Sequence, residues 1–296
     1  MGLTIDFFDK YDIKKLFDEY NIGFQKKFGQ NFLMDRDFAS DSVSSMELHG
    51  GDLVLEIGSG IGTFTHLLLA TGADVTAFEL DYKFVDILNR LFGDNEHFRC
   101  VQGDVLKTLP KTVKDLPPHN RLIIYGSLPY YITTPILEKI FYTQIDFDEI
   151  DIIVQAEMQG RLLAQPNTER YCLLSLLVNT FSEPTVCANI PAASFLPEPN
   201  VDSIFVKMTK KANNIIDKRI YFQTAKEIFR NRRKKLINNL LTNSIFCSIT
   251  KDEIINIFTE LNLNEDIRGE ALSIKQVTAL SNKLSEKLQH LKGDII

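Results

Sequence analysis

Ser127, Leu128, Pro129 and Tyr130 follow an apolar, β-branched run, Leu122 to Tyr125, with a hydroxyl, a rigid imino acid and an aromatic ring. Residues of these types can accept hydrogen bonds and can stack. Pro129 fixes its own backbone angle and drives Leu128 into an extended conformation, so the Leu128 carbonyl points in a set direction. The Ser127 oxygen is a second acceptor beside it. A separate group lies upstream. In "VLEIGSGIGTFTHLL", Gly58, Gly60 and Gly62 stand where a strand turns into a helix, a geometry that lets backbone approach a ligand closely. The spacing is G-x-G-x-G; the dinucleotide pattern G-x-G-x-x-G wants glycine where this chain has Thr63. Glu79 ends the next strand, about twenty residues past the first glycine, where an acid can accept from both hydroxyls of a ribose. Asp104 ends the third, in "VQGDV". Alone, each acid reads more simply as a loop residue or a helix cap. Three successive strand ends carrying a glycine turn, an acid and an acid point to a bound nucleoside.

The elements that must position these residues are legible as alternation. Leu53–Ile57, Val75–Phe78, Phe98–Val101, Leu122–Tyr125 and Ile150–Val154 read as strands with helical patterns between them, the mark of a parallel sheet covered by helices. Pro184–Asn189 and Ser203–Met208 have no helical period between them and are expected to form an antiparallel hairpin at the sheet edge. After a basic stretch at 210–218 the strand pattern gives way to three helical ones, near Tyr221–Thr242, Lys251–Leu261 and Ser273–Leu288. Residues 1–209 therefore read as one domain with an N-terminal amphipathic helix, and 210–296 as a smaller all-α domain.

Composition narrows the class. With 296 residues, 44% hydrophobic and 24% charged, the chain can bury a full core. No apolar run approaches a membrane span, and the N-terminus lacks the order of a signal peptide, so a cytoplasmic protein is expected. Cys100, Cys172, Cys187 and Cys247 lie far apart, suggesting neither disulfides nor a metal site. A net charge of −6 argues mildly against nucleic acid as a partner, although the distribution of charge matters more than its sum.

The three strand ends resemble those of class I methyltransferases, an α/β, Rossmann-like fold. That resemblance implies S-adenosylmethionine as cofactor, with Glu79 at its ribose, Asp104 at its adenine amine, and Gly58, Gly60, Leu80, Val105 and Ser127 around it. The strand-four motif narrows the match. "SLPYYITTP", Ser127 to Pro135, resembles the Asn-Leu-Pro-Tyr, Ile-Thr/Ser-x-Pro of ribosomal RNA adenine dimethyltransferases. "KKFGQNFLMD" resembles their N-terminal signature, implying that Gln30, Asn31 and Leu33 close over the donor. "ASFLPEPNVDS" resembles their Phe-x-Pro-x-Pro-x-Val-Asp-Ser stretch, implying that Phe195 stacks on a target adenine opposite Tyr130. "FRNRRKKLINNL" and "IRGEALS" resemble parts of their small helical domain.

An exocyclic adenine amine is a poor nucleophile, because its lone pair is delocalised into the ring. Acceptors aimed at its hydrogens, here the Ser127 side chain and the Leu128 carbonyl, can localise that pair. Ser127 departs from the family's Asn: its shorter side chain, a donor as well as an acceptor, holds the amine less firmly. RNA contact is expected from Lys26, Lys27, Arg161, Arg170, Arg230, Arg232, Arg233, Lys234 and Lys235. The implied substrate is two adjacent adenosines in a small-subunit rRNA hairpin, and the implied partner is the small ribosomal subunit or its precursor, met by a monomer without metal. Two alternatives remain within ribosome biology: a large-subunit adenine methyltransferase of the macrolide-resistance type, and an assembly factor with little catalysis. A nicotinamide dehydrogenase shares the glycine turn, but the proline–aromatic motif has no role in hydride transfer.

Overall fold

The computed structural model describes residues 5–23, 31–129 and 131–293. Lys26, Lys27, Gln30 and Tyr130, all expected site residues, lie outside the described residues. The chain divides into two compact units, 1–159 with 185–210 and 160–184 with 211–296. The break near 210 falls where the strand pattern stops, whereas 160–184, which the strand pattern assigns to the first domain, joins the second unit.

The first unit opens with α1 (Lys10–Glu19), β1 (Phe32–Leu33) and α2 (Arg36–Ser44). Strands β2 (Leu53–Ile57), β3 (Asp74–Glu79), β4 (Phe98–Gln102), β5 (Leu122–Ser127) and β6 (Glu149–Gln155) then alternate with α3 (Thr65–Ala70), α4 (Tyr82–Phe92), α5 (Val105–Thr112) and α6 (Thr133–Thr143). After α7 (Gln159–Leu162) and α8 (Leu173–Phe181) come β7 (Ser182–Ile190), β8 (Phe195–Leu196) and β9 (Ser203–Lys210). The sheet order is β4-β3-β2-β5-β6-β9-β7. β4 through β6 pair in parallel, and β9 runs antiparallel to β6. β2 is buried along its whole length, as a central parallel strand covered on both faces must be. β7, the outer strand, alternates exposed and half-buried positions between buried ends, as an edge strand with one wet face does. The two last strands are thus neighbours as expected, with β9 drawn inside the sheet because its Ile204, Val206 and Met208 are apolar enough for full burial.

α1 follows from an Asp9 N-cap, which accepts from the Tyr11 and Asp12 amides, and from an apolar stripe of Ile13, Leu16 and Phe17. That stripe packs with Phe32, Ile61, Phe84 and Ile87. In the second unit the expected long helix over Tyr221–Thr242 is two helices, α9 (Lys218–Arg230) and α10 (Leu236–Leu241), followed by α11 (Lys251–Glu260) and α12 (Ile274–Gly293). Of the four consecutive cations Arg232 to Lys235, the first and last would meet at i, i+3 on a continued helix and repel. The chain leaves the helix at Asn231, and two of those cations instead find acids, Arg232 with Glu270 and Lys235 with Asp266. α8 belongs with these helices because seven of its nine residues are buried, more apolar surface than a surface helix can carry.

A polar row crosses the middle of the sheet. Glu56 lies opposite Tyr125, Tyr125 opposite Asp151, and Asp151 opposite Lys207. The Lys207 ammonium is 2.9 Å from Glu149 and 3.8 Å from Asp151, and donates to the Ser45 carbonyl at 2.7 Å. Burial and the neighbouring Glu149 raise the Asp151 pKa against the pull of Lys207. Glu56, whose carboxylate accepts from the Thr65 hydroxyl at 2.6 Å, is pushed up by burial to about 7. The unfolded chain releases that proton near the ordinary value of 4.5, so the stability tied to Glu56 is complete below 4.5, falls as pH rises, and levels off above about 7. At about 1.4 kcal/mol per pH unit this amounts to roughly 3 kcal/mol. Urea unfolding at pH 5 and pH 8 should show wild type losing that much more stability than Glu56→Gln; parallel losses in the two proteins would refute the assignment.

Candidate active site

The strand order reverses between β2 and β5: β3 and β4 lie to one side of β2, β6 to the other side of β5. In open α/β sheets the crevice beyond the strand ends at such a reversal is where ligands bind. Gly58 follows β2 and Ser127 ends β5, and a Cβ built on Gly58 would sit 3.7 Å from the Ser127 carbonyl oxygen. The glycine turn and the proline–aromatic motif therefore meet at one point of the sheet.

A cavity of about 450 Å³ opens there. Asn31, Leu33, Gly58, Gly60, Glu79, Leu80, Asp104, Val105 and Ser127 all line it, as does Pro129. Every donor-site residue expected from the sequence and lying within the described residues is thus brought to one place.

Glu79 is nearly buried, and its carboxylate collects three backbone amides: Gly60 at 2.8 Å, Leu80 at 2.7 Å and Asp81 at 2.8 Å. Burial raises its pKa, and those three amides pull it back down in part. Its carboxylate fastens the glycine turn to the end of β3 and retains lone pairs for a ligand's hydroxyls. Gly60 sits at φ +55°, and a Cβ there would come within 3.1 Å of the Phe32 ring, so a side chain would be both strained and crowded. Asp104 caps α5 by accepting from Leu106 at 3.0 Å, which leaves its second oxygen turned to Lys107 at 3.9 Å. The cap and the ligand roles are compatible, since each uses different lone pairs.

β1 and β8 pair antiparallel, Phe32 opposite Leu196 and Leu33 opposite Phe195, and the Met34 amide donates to Ser194 at 2.8 Å. The Asn31–Leu33 wall of the cavity is therefore held by the Phe-x-Pro stretch. Phe195 itself does not reach the cavity: its ring is buried in the core with Leu33, Tyr125 and Phe205. The Leu128 side chain is likewise buried, and its amide donates to the Ile153 carbonyl at 3.0 Å, while the flanking Ser127 and Pro129 line the cavity.

Sequence reasoning missed several lining residues: Ser59, Thr63, Asp81, Tyr82 and Tyr131. Thr63 carried a signal, as the residue that broke the dinucleotide spacing; its buried hydroxyl has no hydrogen-bond partner among the described residues. A buried, unpartnered hydroxyl in the wall of an otherwise mostly apolar cavity suits a polar ligand. Tyr82 carried no signal at all.

In the second unit the basic residues differ in what they touch. Arg232 donates to Glu270 at 2.6 Å and to the Glu169 carbonyl at 3.1 Å, Arg230 to Glu227 at 3.2 Å and Thr242 at 3.1 Å, and Lys235 pairs with Asp266. Arg170 lies against Gly160, and Arg161 is half-buried. Arg233 and Lys234 are exposed and form no ion pair among the described residues. The described residues contain no cluster of three metal-ligating side chains, and no helix among them is long and apolar enough to cross a membrane.

Comparison with known proteins adds independent findings. Residues 21–285 match the family model described as ribosomal RNA adenine dimethylase. Over 270 residues the chain is 36% identical to ribosomal RNA small subunit methyltransferase A of Lactococcus lactis subsp. lactis (strain IL1403), covering 90% of this chain and 91% of that protein. A dimethyladenosine transferase from Plasmodium falciparum is similar in structure at a TM-score of 0.68 and 21% identity, over 86% of this chain and 98% of that one. The 23S rRNA methyltransferase ErmE gives 0.59 at 18% identity, over 86% and 99%. At these identities the two structures establish the fold, that of class I methyltransferases. The family rests on the sequence matches, which run through the glycine turn, the strand-end acids and the Ser-Leu-Pro-Tyr motif alike: the chain belongs to the ribosomal RNA adenine dimethylase family.

Proposed function

We propose that the protein is a methyltransferase that uses S-adenosylmethionine to dimethylate the exocyclic amines of two adjacent adenosines in a hairpin loop of small-subunit ribosomal RNA. The observation that carries this reading is the single cavity that joins Glu79, the glycine turn, Asp104, Ser127 and Pro129. When bound, the donor supplies an electrophilic methyl group on a sulfonium. Glu79 holds ribose hydroxyls, Asp104 and Val105 hold the adenine end, and Asn31 and Leu33 cover it, with Gln30 in the same role by resemblance. The strand order sets β4 and β5 three spacings apart, about 14 Å, so the Asp104 and Ser127 ends of the cavity serve different parts of the reacting pair. At the β5 end the Ser127 oxygen accepts from the amine; by resemblance the Leu128 carbonyl, its direction set by Pro129, is the second acceptor, and Tyr130 stacks on the base. The amine proton becomes acidic only as the new bond forms, so no base is needed at the outset.

The protein acts as a monomer in the cytoplasm, on the small subunit or its precursor. Labelled donor given to unmodified small and large subunits, followed by digestion to nucleosides, tests the reading. Dimethyladenosine from small subunits alone is the expected result; label in large subunits overturns the substrate assignment. Ser127, in place of the family's Asn, favours a second reading, an assembly factor with little catalysis, which predicts no label in either.

RNA contact by the second unit falls to different residues in different degrees. Arg233 and Lys234 are expected to contact phosphate, and each replacement by alanine should lower the slope of log affinity against log salt by about 1. Arg232→Ala should instead leave that slope nearly unchanged and cost about 1–2 kcal/mol of stability in chemical denaturation, because its half-exposed guanidinium holds Glu270 and two backbone carbonyls. A full unit of slope lost in Arg232→Ala would reverse this assignment.

A further inference from the structure

Six aromatic side chains line the cavity among the described residues: Phe32, Phe64, Phe78, Tyr82, Phe84 and Tyr131. The four phenylalanines are buried, whereas Tyr82 is 59% and Tyr131 61% exposed. A tyrosine at a cavity rim offers an apolar ring face and a polar tip to whatever enters beside it. The two tyrosines lie at different ends. Tyr82 opens α4 beside Asp81, at the Glu79 end, two strand spacings from β5 or about 10 Å. Tyr131 lies at the acceptor end, between Pro129 and Ile132, which line the cavity with it.

Hydrogen bonds hold the residues that follow Tyr131. The Ile132 amide and the Thr133 hydroxyl both donate to the Pro129 carbonyl at 3.1 Å, and the Ile136 amide to Ile132 at 3.0 Å. The ring is thus presented from the residue that leads into the first turn of α6. Phe195, the expected second stacking ring, is in the core, so an open aromatic face at this end comes from Tyr131 among the described residues.

We infer that Tyr131 forms a second base subsite, stacking on a nucleotide that flanks the adenosine in the acceptor pocket. The inference rests on the RNA-methylating reading above. A flipped base leaves its neighbour with one face unstacked, and a ring at the pocket rim replaces the lost partner. Every base has such a face, so the subsite holds a single-stranded loop in place without reading its sequence. The ring is the working part; the phenol hydroxyl is dispensable.

The test uses the full chain, S-adenosylhomocysteine and a hairpin RNA with two adjacent loop adenosines, with 2-aminopurine at successive loop positions. Tyr131→Ala is expected to weaken RNA binding about tenfold and to abolish the 2-aminopurine quench at one position beside the target, with Tyr131→Phe recovering most of both. Affinity for S-adenosylhomocysteine should be the same in all three proteins, which a general loosening of the site would not allow. Tyr131→Ala binding RNA like wild type, or Tyr131→Phe binding as weakly as Tyr131→Ala, overturns the subsite. Binding is read without turnover, so absence of methyl transfer by wild type strikes the function reading and leaves this result to be judged separately.

Discussion

Glu79→Ala should weaken binding of S-adenosylmethionine and of S-adenosylhomocysteine by roughly a hundredfold. Two losses combine. The ligand loses a charged acceptor for its ribose hydroxyls, and hydrogen bonds to charged groups are worth about 1.5–3 kcal/mol. The amides of Gly60, Leu80 and Asp81 lose their common acceptor, so the turn that must lie against the ligand is no longer fastened to β3. A hundredfold corresponds to about 2.8 kcal/mol, within reach of the first loss alone. Glu79→Gln should fall between, because its amide offers one acceptor oxygen where the carboxylate has two and turns a donor toward amides that also donate. Calorimetric titration with S-adenosylhomocysteine decides; an alanine variant within threefold of wild type would show that Glu79 is a structural clasp only.

Gly126→Ala should lower the rate of methyl transfer by about a hundredfold while changing donor affinity far less. A Cβ on Gly126 would stand 2.8 Å from the Ile57 carbonyl oxygen, which is backbone of the adjacent central strand, and 2.8 Å from the Leu128 side chain. The Leu128 methyl can turn aside, but the Ile57 oxygen cannot yield without moving β5 against β2, and those two strands carry Ser127 and the glycine turn. A displacement of about 1 Å between reacting groups can cost a hundredfold in rate, while overpacking of this kind costs about 1–3 kcal/mol of stability. Single-turnover transfer measured beside donor titration separates the two. Equal losses in both would mean that the variant harms the fold as a whole, and an unchanged rate would mean that the β2–β5 spacing does not set the reaction.

The glycine-turn end of the cavity was legible because its residues lie at ends of strands, and strand ends are marked by a change of period in the sequence. Gly58, Glu79 and Asp104 each stand at or just past a short strand-like run in an alternating β/α pattern, and parallel strands bring their ends to one edge. The acceptor end was less so. Phe195 carries a motif that suggests an exposed ring, yet whether a ring faces a cavity or a core depends on which strand pairs with which, and β8 pairs with a partner more than 160 positions away. Tyr82 and Tyr131 are each one of the chain's nine tyrosines, and exposure is a property of packing that no local pattern encodes. The break between α9 and α10 was hidden for a similar reason: apolar spacing continues across Arg232–Lys235, and what ends the helix is a set of acids far along the chain.

The two-residue ribbon of β1 and β8 has an implication for how the protein comes into being. Synthesis delivers Phe32 well before Leu196, so a growing chain carries one wall of its cavity unanchored while more than 160 further residues are added. Competence to bind therefore waits for residues 195 and 196, and a fragment stopped before residue 195 should retain its parallel strands yet lack affinity for S-adenosylhomocysteine.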